Sequence, residues 1–257
     1  MNKYTDHSVA LIDADIMVYK YATTNETKYD WSEDVSSKVY DVDHAIEGID
    51  RFITWIKRRL GVDKSKFAFT TSPNFRYSVL PTYKHNRDDK DKPEMLPELM
   101  SYVKREYESV YKPRLEADDV MGILATLSPE KYIVCTIDKD LKQIPAHHFN
   151  WMHDEEFDVS EEEGRRYFYK QVLTGDPTDG YGGCPYIGEK RSERIFNNMD
   201  EDESYWEVII EAYKNKDLTE DDALVQARVA KILQKENWDF DNEVPILWTP
   251  EQDRKEN

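Results

Sequence analysis

Cysteine is nearly absent from the 257 residues. Cys135 and Cys184 are too few for a disulfide framework or a four-ligand zinc site. Long apolar runs are absent too: none approaches the roughly 18 residues that a membrane-spanning helix needs. The first eight residues, Met1 to Ser8, hold no apolar signal core. The expectation is a soluble, cytoplasmic protein with no membrane partner. Only nine Gly and eleven Pro exclude a collagen-like or low-complexity chain, and 12% aromatic residues exclude the aromatic-poor composition of a disordered one. The length fits one main core with a smaller appendage.

Positive charge is also scarce, at 35 Lys and Arg against 53 Asp and Glu, a net of -18. A balance of that sign argues against nucleic acid as a partner, but its distribution does not. Residues 51 to 115 carry 15 Lys and Arg against 8 Asp and Glu, a local +7 that leaves -25 for the remainder. A basic segment lies inside an acidic protein. Runs such as Glu161 to Glu163 and Asp200 to Glu203 read as solvated faces.

The apolar run Val9 to Ile12 ends at Asp13 and reads as a buried parallel strand. Ile46, Ile49, Phe52, Ile53, Ile56 and Leu60 recur at helical spacing, with Gly61 as the C-terminal cap. Phe67 to Phe69 predicts a second strand, and Thr70 to Pro97 an ordered but exposed connection. A helical pattern resumes near Leu96, Ala117 to Leu127 predicts another helix, and Tyr132 to Ile137 is the clearest strand. Strands alternating with helices predict an α/β fold, a mainly parallel central sheet flanked by helices. Beyond it come a helix over Tyr167 to Leu173, a glycine-rich stretch from Gly175 to Gly188, and a last helix over Thr219 to Lys235 with Thr219 as N-cap. The expected division is a core over 1–160 and a helical appendage over 161–257.

Four acidic groupings share a context. Asp13 follows the first strand, Glu116, Asp118 and Asp119 open a helix, Asp138 and Asp140 follow the best strand, and Asp176 and Asp179 lie in the glycine-rich stretch. In open α/β sheets sites form outside the carboxyl ends of the strands, which is where Asp13 and the Asp138/Asp140 pair must lie. So many carboxylates in one place repel unless hard cations neutralise them. All-oxygen ligation favours Mg²⁺ or Mn²⁺ over Zn²⁺, for which the six His show no ligand spacing. Two such ions are the known arrangement for in-line phosphoryl displacement, so phosphodiester hydrolysis is the leading chemistry.

Tyr83, Lys84 and Arg87 lie in the basic segment, where the two cations could hold one phosphate and the ring could stack on a base. Gly182, Gly183 and Gly188 lead into a run with Lys190, Arg191 and Arg194. A glycine-rich turn opening a helix can present backbone N–H groups to a phosphate without reading sequence, as a helix-hairpin-helix does.

On these residues the chain resembles the flap-endonuclease-like 5′ nuclease superfamily, and looks most like the 5′→3′ exonucleases of bacteriophages. The segments LEADDVMG (Leu115 to Gly122), TIDKDLKQIP (Thr136 to Pro145), GDPTDGYGGCPYIGEK (Gly175 to Lys190) and YKHNR (Tyr83 to Arg87) carry the resemblance in the family's order, supported by LIDAD (Leu11 to Asp15). It implies that Asp13, Glu116, Asp118 and Asp119 surround a first metal and Asp138, Asp140, Asp176 and Asp179 a second. Lys84 would steady the scissile phosphate with help from Arg87, and Tyr83 would stack near the 5′ end. The helix-three-turn-helix, Gly175 to Ile195, would grip the duplex and hold a potassium ion. The implied substrates are duplex or flapped DNA and the RNA strand of RNA–DNA hybrids, with replication proteins as possible partners.

Two departures from the family pattern stand out. Thr70 and Thr71 occupy the place after the second strand where the family commonly has another Asp, which makes the first site less negative. Only 28 residues, Asp88 to Leu115, separate Arg87 from Glu116, which is short for a flap-threading arch and favours progressive removal from a 5′ end. Two other readings compete. An acidic mimic of DNA would not need the basic segment, and an Asp13-x-Asp15 phosphatase leaves the other motifs unexplained.

Overall fold

The structure is a computed structural model that describes residues 9–32, 35–87, 91–200 and 203–253. Six strands form the central sheet: β1 (Val9–Asp13), β4 (Lys64–Ala68), β5 (Ser109–Val110), β6 (Tyr132–Cys135), β7 (His147–Asn150) and β8 (Glu155–Asp158). Their order is β5-β4-β1-β6-β7-β8, parallel throughout except for the antiparallel edge strand β8. Between β1 and β4 the chain makes helix α1 (Ala14–Thr24), an antiparallel hairpin of β2 (Glu26–Ser32) and β3 (Val35–Tyr40), and helix α2 (Val42–Leu60).

The alternation of side chains along the strands dictates two cores. Ala10 and Ile12 of β1 and Ile133 and Cys135 of β6 face one side, packed against α1, α2 and α4 (Leu96–Glu106). Val9, Leu11, Tyr132 and Val134 face the other, packed against α5 (Ala117–Leu127). A strand buried on both faces must be apolar along its length, and β6 and β1 up to Ile12 are. Each fully buried Leu, Ile or Val contributes about 1.5–3 kcal/mol. The predicted cap holds: Gly61 closes α2 at φ 66° and donates to the Arg58 carbonyl.

A third apolar cluster joins α6 (Glu161–Thr174), α8 (Tyr205–Lys214) and α9 (Glu220–Ala230) around Trp206, Tyr213 and Trp248, with α7 (Glu189–Asn197) beside α6. Thr219 caps α9 as expected, accepting from the Asp222 N–H. That helix ends at Ala230, short of the predicted Lys235. Ile232 and Leu233 leave it in extended chain and bury themselves against the α5 side of the sheet.

The connection from Thr70 to Pro97 is not the exposed loop its polarity suggests. It contains the short helix α3 (Arg76–Val79) and buries Phe75, Arg76, Tyr83 and Met95. Nor does the segment toward Glu116 stand off as an arch. Its described residues pack α4 into the first core and add β5 to the sheet beside β4. No helix among the described residues is long and apolar enough to cross a membrane.

Candidate active site

The strand order reverses at β1, whose neighbours are β4 on one side and β6 on the other. A crevice opens beyond the carboxyl ends of these strands. Asp13 ends β1 and caps α1, accepting from the Ile16 N–H at 3.2 Å and from the Thr136 hydroxyl at 3.1 Å. Asp138 follows β6 and caps a turn of 3₁₀ helix, accepting from the Asp140 N–H at 2.8 Å. Glu116 caps α5, which sets Asp118 one residue into the first turn. Asp176 and Asp179 come from the loop after α6, pinned by the Asp176 N–H to the Tyr181 carbonyl at 2.9 Å.

The basic turn meets that loop. The Lys84 N–H donates to the Asp179 carbonyl at 2.8 Å, the Asn86 side chain to the Pro177 carbonyl at 2.7 Å, and Arg87 Nε to the Thr178 carbonyl at 3.1 Å. Lys84 itself is held at φ 56°, a left-handed conformation that a lysine adopts only when its surroundings fix it. Its Nζ lies 2.5 Å from Glu116 Oε1 and 3.6 Å from Asp179 Oδ2, and Arg87 donates to Asp179 Oδ1 at 2.5 Å.

The electrostatics show that the acids form one group. Burial, and then the charge of Asp15, push Asp13 up to about 7, with Asp138 adding to the effect. Burial raises Asp118 far above its ordinary range, reinforced by Asp13, Asp138 and Glu116. Burial, Asp138 and Asp176 bring Asp140 to about 7, and burial, Asp179 and Asp176 raise Asp138. Glu116 differs. Burial works against its charge too, but Arg76 and Lys84 hold it below the usual glutamate range.

Two expected roles do not fit the geometry. Asp119 is fully buried, with Arg76 donating to both its oxygens at 2.7 and 2.8 Å and the Leu233 N–H at 3.1 Å, so its lone pairs are spent inside the fold rather than offered to a metal. Tyr83 is 1% exposed and has no open face for a base. Its ring packs edge-on to Tyr77, and its hydroxyl lies 2.9 Å from both Glu116 Oε2 and Asp179 Oδ2, where it orients the acids instead. Arg76, not singled out from the sequence, organises this side of the crevice by also lying 3.2 Å from Glu116 Oε2. Asp15, read from the sequence only as the partner of Asp13 in the phosphatase alternative, also borders the site: it accepts from the Thr70 N–H at 3.0 Å, beyond the end of β4 where the family's acid is missing.

The remaining acids offer the all-oxygen donors that hard divalent cations take. Asp118 accepts no hydrogen bond from the described residues, although it is surrounded by other acids. Among the described residues no three His, Cys, Asp or Glu side chains are grouped so that they could hold a metal ion as they stand. The acids stand as a mutually repelling group whose charge a bound cation would offset.

Residues 8–172 match the family model described as 5′-3′ exonuclease, N-terminal resolvase-like domain. The chain belongs to the 5′→3′ exonuclease family. An exonuclease of Escherichia phage T7 is 25% identical over 95% of this chain and 94% of its own length, and an exodeoxyribonuclease of Enterobacteria phage T3 is 26% identical over the same shares. Among solved structures, the phage T5 D15 protein co-crystallised with metal ions matches with a TM-score of 0.61, 13% identity, 88% of this chain and 89% of that one. The same scores describe the T5 D15 flap endonuclease in a complex with DNA and metal ions. The exonuclease fold, with its mainly parallel sheet, is therefore shared with these proteins. As a family member the chain is a nuclease, which sets aside the non-catalytic mimic and the aspartyl phosphatase.

Proposed function

We propose that this exonuclease hydrolyses duplex DNA from a 5′ end with two divalent cations, Mg²⁺ or Mn²⁺, releasing 5′-phosphorylated products in phage DNA replication or degradation. The observation that carries the reading is the carboxylate group itself. Its members come from β1, α5, β6 and the loop after α6, and meet opposite Lys84 and Arg87. Asp13, Glu116 and Asp118 would hold the first cation, and Asp138, Asp140, Asp176 and Asp179 the second. Cations held there would offset the charge of the acids and would supply an acidified water and a counter-charge for the leaving oxygen.

The chain's own contribution is an exchange of partners. In the free protein Lys84 rests on Glu116 and Asp179, and Arg87 on Asp179. With a duplex bound, both side chains would exchange these carboxylates for the scissile phosphate. Lys84 then stabilises charge that develops in the transition state, and Arg87 orients the phosphate with two parallel N–H donors. Residues 161–257 would hold the duplex through the hairpin and α7, where Lys190, Arg191 and Arg194 are exposed. Contacts of this kind read phosphate and not sequence. With the segment before Glu116 folded into α4 and β5, progressive removal is favoured over threading of flaps. Flaps and the RNA strand of hybrids remain in the proposed substrate range.

A blunt duplex labelled at one 3′ end tests this. Shortening of the labelled strand from its 5′ side with Mg²⁺ and not with EDTA is the expected result. An intact duplex under both Mg²⁺ and Mn²⁺ would overturn it.

A further inference from the structure

We propose that Tyr186 is a DNA-contact residue, its ring held out from the hairpin to lie against the sugar–phosphate face of bound duplex. The inference rests on reading Gly182 to Gly188 as the segment that grips the duplex. Tyr186 is 87% exposed, more than any other large apolar or aromatic side chain among the described residues. It also sits at φ 65°, in the left-handed region that an aromatic residue rarely enters and that glycine or asparagine occupies readily. At Gly183, φ 62°, the glycine has an internal reason: a Cβ would lie 2.2 Å from the Gly175 nitrogen. No internal reason accounts for the ring at 186. It is not buried, and its one ring contact is the Lys216 ammonium, 5.5 Å from the centroid. A bulky side chain kept in an unfavourable conformation with no packing of its own points to a partner outside the chain.

The surroundings specify that partner. The charges of Lys216 and Arg191 both act on the thiol of Cys184, two residues before the ring, so both cations flank the hairpin. Lys190, Arg191 and Arg194 are exposed and make no ion pair among the described residues, whereas the neighbouring Glu189 and Glu193 are taken by Lys170 and Arg166. Unneutralised cations on a protein of net charge -18 suit a polyanion. An aromatic ring among them supplies apolar contact to deoxyribose. The tip is also fixed relative to the chemistry. The same loop carries Asp176 and Asp179, and it is fastened by Cys184 N–H to the Leu173 carbonyl at 2.8 Å and by Gly183 N–H to Gln226 at 2.9 Å.

The test is binding of a fluorescein-labelled blunt duplex to the whole protein in EDTA, followed by anisotropy. Tyr186→Gly and Tyr186→Asn both suit the left-handed backbone, so the fold is expected to melt no lower than wild type. Both should weaken duplex affinity about 5- to 10-fold and raise KM in Mg²⁺ by a similar factor, while Tyr186→Phe stays within about twofold of wild type. If the Gly and Asn variants bind like wild type while Lys190→Ala and Arg191→Ala weaken binding, the hairpin reading stands and the role of Tyr186 is wrong. If none of these variants loses affinity, the hairpin does not hold the duplex and both statements fall.

Discussion

Arg76 and Asp119 form a two-pronged ion pair in the interior, at 2.7 and 2.8 Å, with Arg76 2% and Asp119 0% exposed. The pair ties α3 to α5, and Arg76 carries the tie onward to the Val229 carbonyl in the last turn of α9 and the Lys231 carbonyl just after it. A carboxylate so committed is a support for Glu116 and not a ligand. Asp119→Asn is therefore expected to destabilise the protein by about 3 kcal/mol, because it removes the nearer of the two carboxylates that face a buried guanidinium. Urea unfolding in EDTA measures this. A variant as stable as wild type that has lost metal affinity would return Asp119 to the metal site.

The crevice acids behave in the opposite sense. Asp140 titrates near 7 in the folded protein against an ordinary 3.8, so between about pH 4 and 7 the folded state holds more protons than the unfolded one. Stability from this group is present below about pH 4 and is lost as pH rises toward 7. In EDTA, Asp140→Asn should match wild type at pH 4 and melt higher at pH 8, since it removes a repelled charge. Mg²⁺ should reverse that order, because it binds and stabilises wild type more strongly. Thermal melts at the two pH values, with and without Mg²⁺, check both signs. A variant less stable than wild type at pH 8 in EDTA would refute the repulsion.

Much of the site was legible because strand ends are legible. β1 and β6 announce themselves as short apolar runs, and Asp13 at the end of one and Asp138 beyond the other must share a crevice by topology. α2 was readable from its apolar stripe and Gly61. What stayed hidden depends on contacts distant in sequence. Arg76 meets Asp119 43 residues on, and the Val229 carbonyl 153 residues on, which no local pattern encodes. Tyr83 was misread for the same reason: its motif shows a tyrosine beside two cations, and only the packed turn shows the ring facing inward. The β2–β3 hairpin escaped because its strand Glu26–Ser32 is largely polar, without the apolar alternation of a half-buried strand.

Lys84 separates binding from chemistry. Its ammonium is half-buried, and although burial works against its charge, Glu116 and Asp179 keep it protonated well into alkaline pH. Lys84→Ala should lower the single-turnover rate at saturating duplex by about 10²-fold, with a smaller change in duplex affinity. Stopped-flow cleavage beside an anisotropy titration gives the two numbers. If affinity falls by as much as the rate, Lys84 is a docking residue and the partner exchange is wrong.

Lys190 should behave in the reverse way. It is exposed on the first turn of α7, directly after the glycine-rich stretch. A phosphate contact there neutralises one backbone charge and releases about 0.9 of a counterion. Lys190→Ala is therefore expected to make the plot of log Kd against log salt shallower by about 0.9, and to weaken binding most at low salt. The rate at saturating duplex should fall far less than for Lys84→Ala. Measuring Kd for one blunt duplex at several KCl concentrations decides it. Parallel lines for wild type and variant would mean that Lys190 does not touch phosphate, and that the duplex leaves the crevice over another face.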